Sequence, residues 1–136
     1  MYSAEDYIEW RVCQPLVLFH EFVHSFHCFI GRDRGDIKRA YSMAMERGLY
    51  DSVQHIAGRH PVTGKEIVVW RRGYAASNCY EYFAQMSEAY FGQCNYYPFN
   101  RQQLLRHDEN AYRLCLKLWS LYVHEIQFEH EKYCSH

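Results

Sequence analysis

Apolar residues crowd the stretch from Leu16 to Ile30. Leu16, Val17, Leu18, Phe19, Phe22, Val23, Phe26, Phe29 and Ile30 cover nearly every side of the helix they would form. Pro15 suits the first turn of such a helix and Gly31 its C-terminal stop. The pattern predicts a first helix over about 15–30, buried centrally. A charged turn from Gly31 to Gly35 follows. Ile37, Ala40, Tyr41, Ala44 and Met45 then fall at helical spacing, predicting a second helix over about 36–48, closed by Gly48. Two short β-like stretches, Ser52 to Ala57 and Glu66 to Arg71, are separated by Gly58, Pro61 and Gly64, as in a hairpin with a long tip. A third helix is expected from about Asn78 to Phe91, capped by Ser77 or Asn78 and stopped by Gly92. Its inner face would be Tyr82, Phe83, Met86, Ala89 and Tyr90. After a loop with Pro98 come a short helix at Arg101 to Arg106 and a long one. Asp108 would cap the long helix, which runs through Tyr112, Cys115, Trp119, Val123 and Ile126. Residues 1–14 have no clear periodicity. The expected fold class is α+β, predominantly α: one domain over residues 1–136 with a small β-hairpin.

Composition narrows the function classes. The chain is 49% hydrophobic, enough for one core at 136 residues. A net charge of −1, with Lys and Arg scattered, leaves no electrostatic footprint for nucleic acid. No stretch reaches the ~18 apolar residues of a membrane span. The acidic start Met1-Tyr2-Ser3-Ala4-Glu5-Asp6 is unlike a signal peptide, which implies an intracellular protein as written, or a secreted one if the chain is a fragment. Six cysteines (Cys13, Cys28, Cys79, Cys94, Cys115, Cys134) are widely spaced with no C-x-x-C pair, so free thiols and a disulfide set both remain open.

The chemistry concentrates in His20-Glu21-Phe22-Val23-His24, inside the first apolar run. Residues four apart lie one above the other on a helix, so His20 and His24 can offer two imidazoles to one metal ion. Glu21 points to a neighbouring part of the surface, where it can reach a metal-bound water. Zinc with an open position needs a third protein ligand. His27 is seven residues beyond His20, about 10.5 Å along the helix axis, too far for bonds of about 2 Å to a shared ion. His27 is therefore expected behind the ligands or in packing. Glu81, in Asn78-Cys79-Tyr80-Glu81-Tyr82-Phe83-Ala84-Gln85, is the better candidate. The same spacing also fits a capping box, in which Glu81 only returns to the Asn78 N–H, and composition does not choose between the two.

His-Glu-x-x-His followed by Tyr-x-x-x-Asn-x-x-Glu-Tyr-Phe-Ala resembles the gluzincin metallopeptidases of the anthrax lethal factor type. The chain is also similar to a group of small, largely uncharacterised metallopeptidase-like proteins, through Glu88-Ala89-Tyr90-Phe91-Gly92 and Tyr97-Pro98-Phe99. The resemblance covers most of residues 16–122. It implies a compact zincin-like fold holding one zinc ion through His20, His24 and Glu81, with Glu21 as general base and Tyr74 as oxyanion donor. The implied activity is hydrolysis of peptide bonds in a peptide or protein substrate by a zinc-bound water that Glu21 activates. Gln85, His27 and Asn78 would support the ligands from behind.

Two departures stand out. The family usually has Glu where Gln85 stands, placed to orient a histidine ligand; Gln85 can accept an imidazole N–H but brings no charge. Zincin-type peptidases also place a β-sheet before the active-site helix, whereas only residues 1–14 precede it here. Either the chain is truncated, or another element, such as the hairpin at 52–71, aligns substrate. Two alternatives follow: a catalytically silent, zinc-stabilised interaction domain, and a metal-free helical interaction protein with the histidines in its core.

Overall fold

The computed structural model describes residues 18–134 and, in the last helix, side chains as far as residue 121. Pro15 and the lead-in at 1–14 lie outside the described residues. The architecture is α+β and mostly helical. Helix α1 spans 18–30, α2 Gly35–Glu46, α3 Cys79–Tyr90, α4 Arg101–His107 and α5 Glu109–Cys134. Strands β1 (Val53–Arg59) and β2 (Glu66–Arg71) form an antiparallel hairpin, and a 3-10 turn over Tyr74–Ala76 leads into α3. Among the described residues, no helix is long and apolar enough to cross a membrane.

Local chemistry sets the boundaries. Gly48 adopts φ 64° just past α2, a left-handed stop that costs a glycine little. Asn78 Oδ1 accepts from the Glu81 N–H at 2.9 Å to start α3, and Asn100 Oδ1 does the same for Gln103 at 3.0 Å to start α4. Asp108, buried at the α4–α5 junction, caps α5 through the Ala111 N–H at 3.1 Å. Its other oxygen accepts the hydroxyls of Tyr50 at 2.9 Å and Tyr82 at 2.6 Å, tying the end of the α2 loop to α3 and α5. Burial and the adjacent Asp108 charge both push these phenols well above their ordinary pKa, so they remain donors.

The centre of the core is α3. Every residue from Tyr82 to Tyr90 is buried, against Val23 and Phe26 of α1, Ile37, Ala40 and Ala44 of α2, and Leu114, Leu118 and Trp119 of α5. Trp119 stacks on Phe26 at 4.0 Å between ring centroids and donates its indole N–H to Ser87 Oγ at 3.1 Å. The expectation that α1 is the central helix is corrected: it buries Val23, Phe26 and His27 but exposes Leu18, Phe22 and Phe29. An all-round apolar pattern does not say which helix has neighbours on every side. The more polar α3 gains that position because Glu81, Gln85 and Glu88 on it face polar groups inside.

The hairpin projects from this body. Its register pairs Val53 with Arg71 and Ile56 with Val68, then shifts at a bulge between Ile56 and Gly58. The segment 95–97 pairs with the other edge of β1. The Ile56 N–H donates to the Asn95 carbonyl, and the Tyr97 N–H to the Gln54 carbonyl, each at 2.8 Å. Gly73 then crosses close to Tyr50, to whose carbonyl its N–H donates at 2.8 Å. A Cβ at Gly73 would lie 3.1–3.2 Å from atoms of Tyr50 and Val53. This close passage delivers Tyr74 to the cleft between the hairpin and α1.

Candidate metal centre

Helices α1 and α3 face one another across the site. His20 and His24, one turn apart on α1, bring their Nε2 atoms to 3.0 Å of each other. Glu81, in the first turn of α3, places Oε2 3.1 Å from His20 Nε2 and Oε1 3.4 Å from His24 Nε2. All these ligand atoms lie within 4.8 Å of one another. Adjacent ligand atoms around a tetrahedral ion with bonds of about 2.0–2.1 Å sit about 3.3 Å apart, and the separations of His20 Nε2 from His24 Nε2 and from Glu81 Oε2, 3.0 and 3.1 Å, lie close to that value. Glu81 Oε2 is buried and, despite its closeness to His20 Nε2, accepts no properly directed hydrogen bond. An orphaned carboxylate oxygen beside two imidazole nitrogens is costly without a cation, and a metal ion would satisfy it. The donor set therefore fits a metal ion. Asn78 caps the Glu81 N–H while the Glu81 side chain turns to the histidines, so the motif's two readings are partly compatible: the cap is made, but the carboxylate is not spent on it.

Glu88 holds His20 from behind. Glu88 Oε1 lies 2.6 Å from His20 Nδ1, and a carboxylate there accepts the Nδ1–H, leaving Nε2 with a free lone pair aimed at Glu81 and His24. This hydrogen bond is the main cause that raises the His20 pKa; burial opposes it, and the charges of Glu88, Glu81 and Glu21 add to it. Gln85 was expected to support a histidine directly, and the structure corrects this. Its amide donates to Glu88 Oε2 at 3.2 Å while its carbonyl accepts from the Cys94 thiol at 3.4 Å. The charge that would be missing from position 85 is supplied at position 88, seven residues after Glu81 and on the same helix face. That i, i+7 spacing is the one sequence signal pointing to Glu88. His27 does not support the ligands either. Its ring is 1% exposed, packs edge-on against Phe83 at 5.1 Å, and leaves both nitrogens without a hydrogen-bond partner. Burial accordingly lowers its pKa.

The cleft beside the cluster has a volume of about 350 Å³ and is lined by His20, Glu21, His55, Tyr74, Glu88 and Tyr96, among others. Glu21 is exposed on it. The Tyr74 ring lies 6.2 Å from that of His20; partial burial first, then the nearby Glu81 charge, raise its pKa, so it stays a protonated donor. His55, from β1, stacks on Tyr96 at 4.0 Å and forms the opposite wall. Sequence patterning did not single out His55 or Tyr96, because the bridge joining them spans two segments 41 residues apart with no shared periodicity.

The four cysteines whose side chains are described, Cys28, Cys79, Cys94 and Cys115, are free thiols. Burial pushes the Cys94 and Cys115 thiols up to about 12, so neither is a nucleophile. Comparison of the chain with known family models, with curated proteins and with solved structures finds no match in any of the three.

Proposed function

We propose that this chain is a zinc-dependent hydrolase of zincin-like fold, acting as a metallopeptidase on a peptide or protein substrate. The observation that carries the reading is the convergence of His20 Nε2, His24 Nε2 and Glu81 on one point, with the Glu81 Oε2 atom left orphaned. Two neutral imidazoles and a carboxylate, with cleft space beside them, suit zinc with an open position. Zinc held there would supply a Lewis acid and lower the pKa of water at the open position.

The chain's own residues supply the rest. Glu88 fixes the tautomer of His20 and the direction of its lone pair. Glu21, on the cleft surface beside the cluster, takes a proton from the attacking water and returns it to the leaving amine. Tyr74, protonated and facing the cleft, donates to the oxygen that becomes negative as the carbonyl is attacked. A second reading, a zinc-stabilised interaction domain without turnover, rests on the β1 edge nearest the cleft, which segment 95–97 already occupies. Zinc-loaded wild type and Glu21→Gln, assayed on a mixed peptide library, test both. The proposal expects cleavage by wild type only, with zinc retained in both proteins. Zinc binding without any cleavage by wild type selects the second reading, and cleavage by Glu21→Gln removes the role of Glu21.

A further inference from the structure

A row of three aromatic rings leads away from the metal centre along one wall of the cleft. The Tyr74 ring stands 6.2 Å from that of His20, Tyr96 follows 6.4 Å beyond Tyr74, and His55 follows at 4.0 Å, centroid to centroid. Successive planes in the row tilt by only 27° and 23°. Backbone pairing fixes the far end of the row. His55 and Tyr96 face each other across an antiparallel bridge, and the 2.8 Å bonds from the Ile56 N–H to Asn95 and from the Tyr97 N–H to Gln54 flank it. Directly opposite residues share a face of the ribbon, so Val69, the partner of His55 in β2, lies on the same face. A ligand that docks on rings already held in place loses little freedom in ordering them.

The charges at the two ends of this wall disfavour an ion of either sign. Glu21 is exposed on the cleft beside His20, whereas the Glu88 carboxylate is held by His20 and Gln85. At the other end, Arg71 shares the ribbon face with His55 and places Nη1 3.4 Å from His55 Nδ1; among the described residues it forms no ion pair. Burial first, then the Arg71 charge, lower the His55 pKa, so at neutral pH the ring is uncharged. An anionic side chain would meet Glu21, and a cationic one Arg71. An aromatic ring gains from contact with other rings whether it stacks on them or meets them edge-on. The cleft volume of about 350 Å³ falls within the range of small-ligand sites.

We infer that the Tyr74–Tyr96–His55 row receives an uncharged aromatic side chain on the residue adjoining the scissile bond, which makes Tyr96 and His55 specificity-determining residues. The inference rests on the zinc hydrolase reading above, and the test separates the two. The zinc-loaded full chain is titrated calorimetrically with hydroxamic acids, whose head group chelates zinc. The probes carry a methyl group or a short chain ending in phenyl, cyclohexyl, ammonium or carboxylate. Cyclohexyl is the larger and more apolar ring, so burial of area alone would rank it first. The phenyl probe is instead expected to bind tightest, roughly fivefold ahead of cyclohexyl. Tyr96→Phe is expected to keep that advantage. Tyr96→Leu, which retains the backbone pairing and apolar bulk, and His55→Leu are each expected to cut it to about twofold or less.

Acetohydroxamate that binds the zinc-loaded but not the zinc-free chain, with phenyl and cyclohexyl probes equal, leaves the metal reading standing and overturns the inference. A tighter ammonium or carboxylate probe overturns it as well, because the favoured side chain would then be charged. So does a phenyl advantage that survives both leucine substitutions, which would lie on other residues. Failure of every hydroxamate to bind the zinc-loaded chain removes the metal reading and the inference with it.

Discussion

Replacing Glu88 by Gln isolates the contribution of the group behind His20. The carboxylate accepts the His20 Nδ1–H at 2.6 Å from a largely buried position, 7% exposed, where a charge-assisted bond is stronger than a neutral one. The substituted amide would keep the shape and an acceptor oxygen but lose the charge. Gln85 can turn its amide so that its oxygen meets the new N–H, since its present donation to Glu88 is a single 3.2 Å bond. The variant should fold. Loss of such a supporting partner typically weakens metal affinity by about 10–100-fold, or about 1.4–2.7 kcal/mol. Competition of the purified chain against a zinc-binding dye measures the change directly, and circular dichroism confirms the helical content. A folded variant with zinc affinity within about twofold of wild type would refute the argument, because Glu88 would then be a buried acid that happens to touch His20.

The remaining predictions concern the scaffold. Asp108→Ala removes the α5 cap, leaves the buried Tyr82 hydroxyl without its acceptor and leaves Tyr50 only the weaker Met86 sulfur at 2.9 Å; chemical denaturation should show a loss of about 2–4 kcal/mol. A loss under about 1 kcal/mol would mean that water or other groups take over those bonds. His27 has a lowered pKa in the folded chain, so the unfolded chain binds its proton more readily. Its contribution to stability is present above the unfolded value of about 6.5 and is lost as pH falls below it. His27→Leu should therefore lose less stability than wild type between about pH 8 and pH 5 in denaturant titrations, and identical pH profiles would contradict the burial argument.

Much of this fold was legible because its signals are local. Helical spacing with Gly31, Gly48 and Gly92 as stops located α1, α2 and α3, and Asp108 announced the start of α5. The hairpin emerged from its turn residues, with strand ends shifted by one or two positions. His20, Glu21 and His24 were legible for the same reason, since one helical turn brings the two imidazoles together. Glu81 was harder, because Asn78-x-x-Glu81 is a cap and a ligand motif at once, and only the position of α1 decides where the carboxylate goes. The role of Glu88 and the placement of His55 depend on which helix faces cross and which loop closes the sheet. Those are tertiary facts that no single segment encodes. The misjudged centre of the core has the same origin: apolar content ranked α1 first, while the number of neighbouring elements favoured α3.

Metal content of purified wild type beside Glu81→Ala, prepared without chelator, bears most directly on the central claim. The account predicts close to one zinc ion per wild-type chain, lost or bound far more weakly in the variant. A wild-type chain that takes up no zinc even after reconstitution, or a variant that holds it as tightly as wild type, would contradict the claim that His20, His24 and Glu81 form the metal centre.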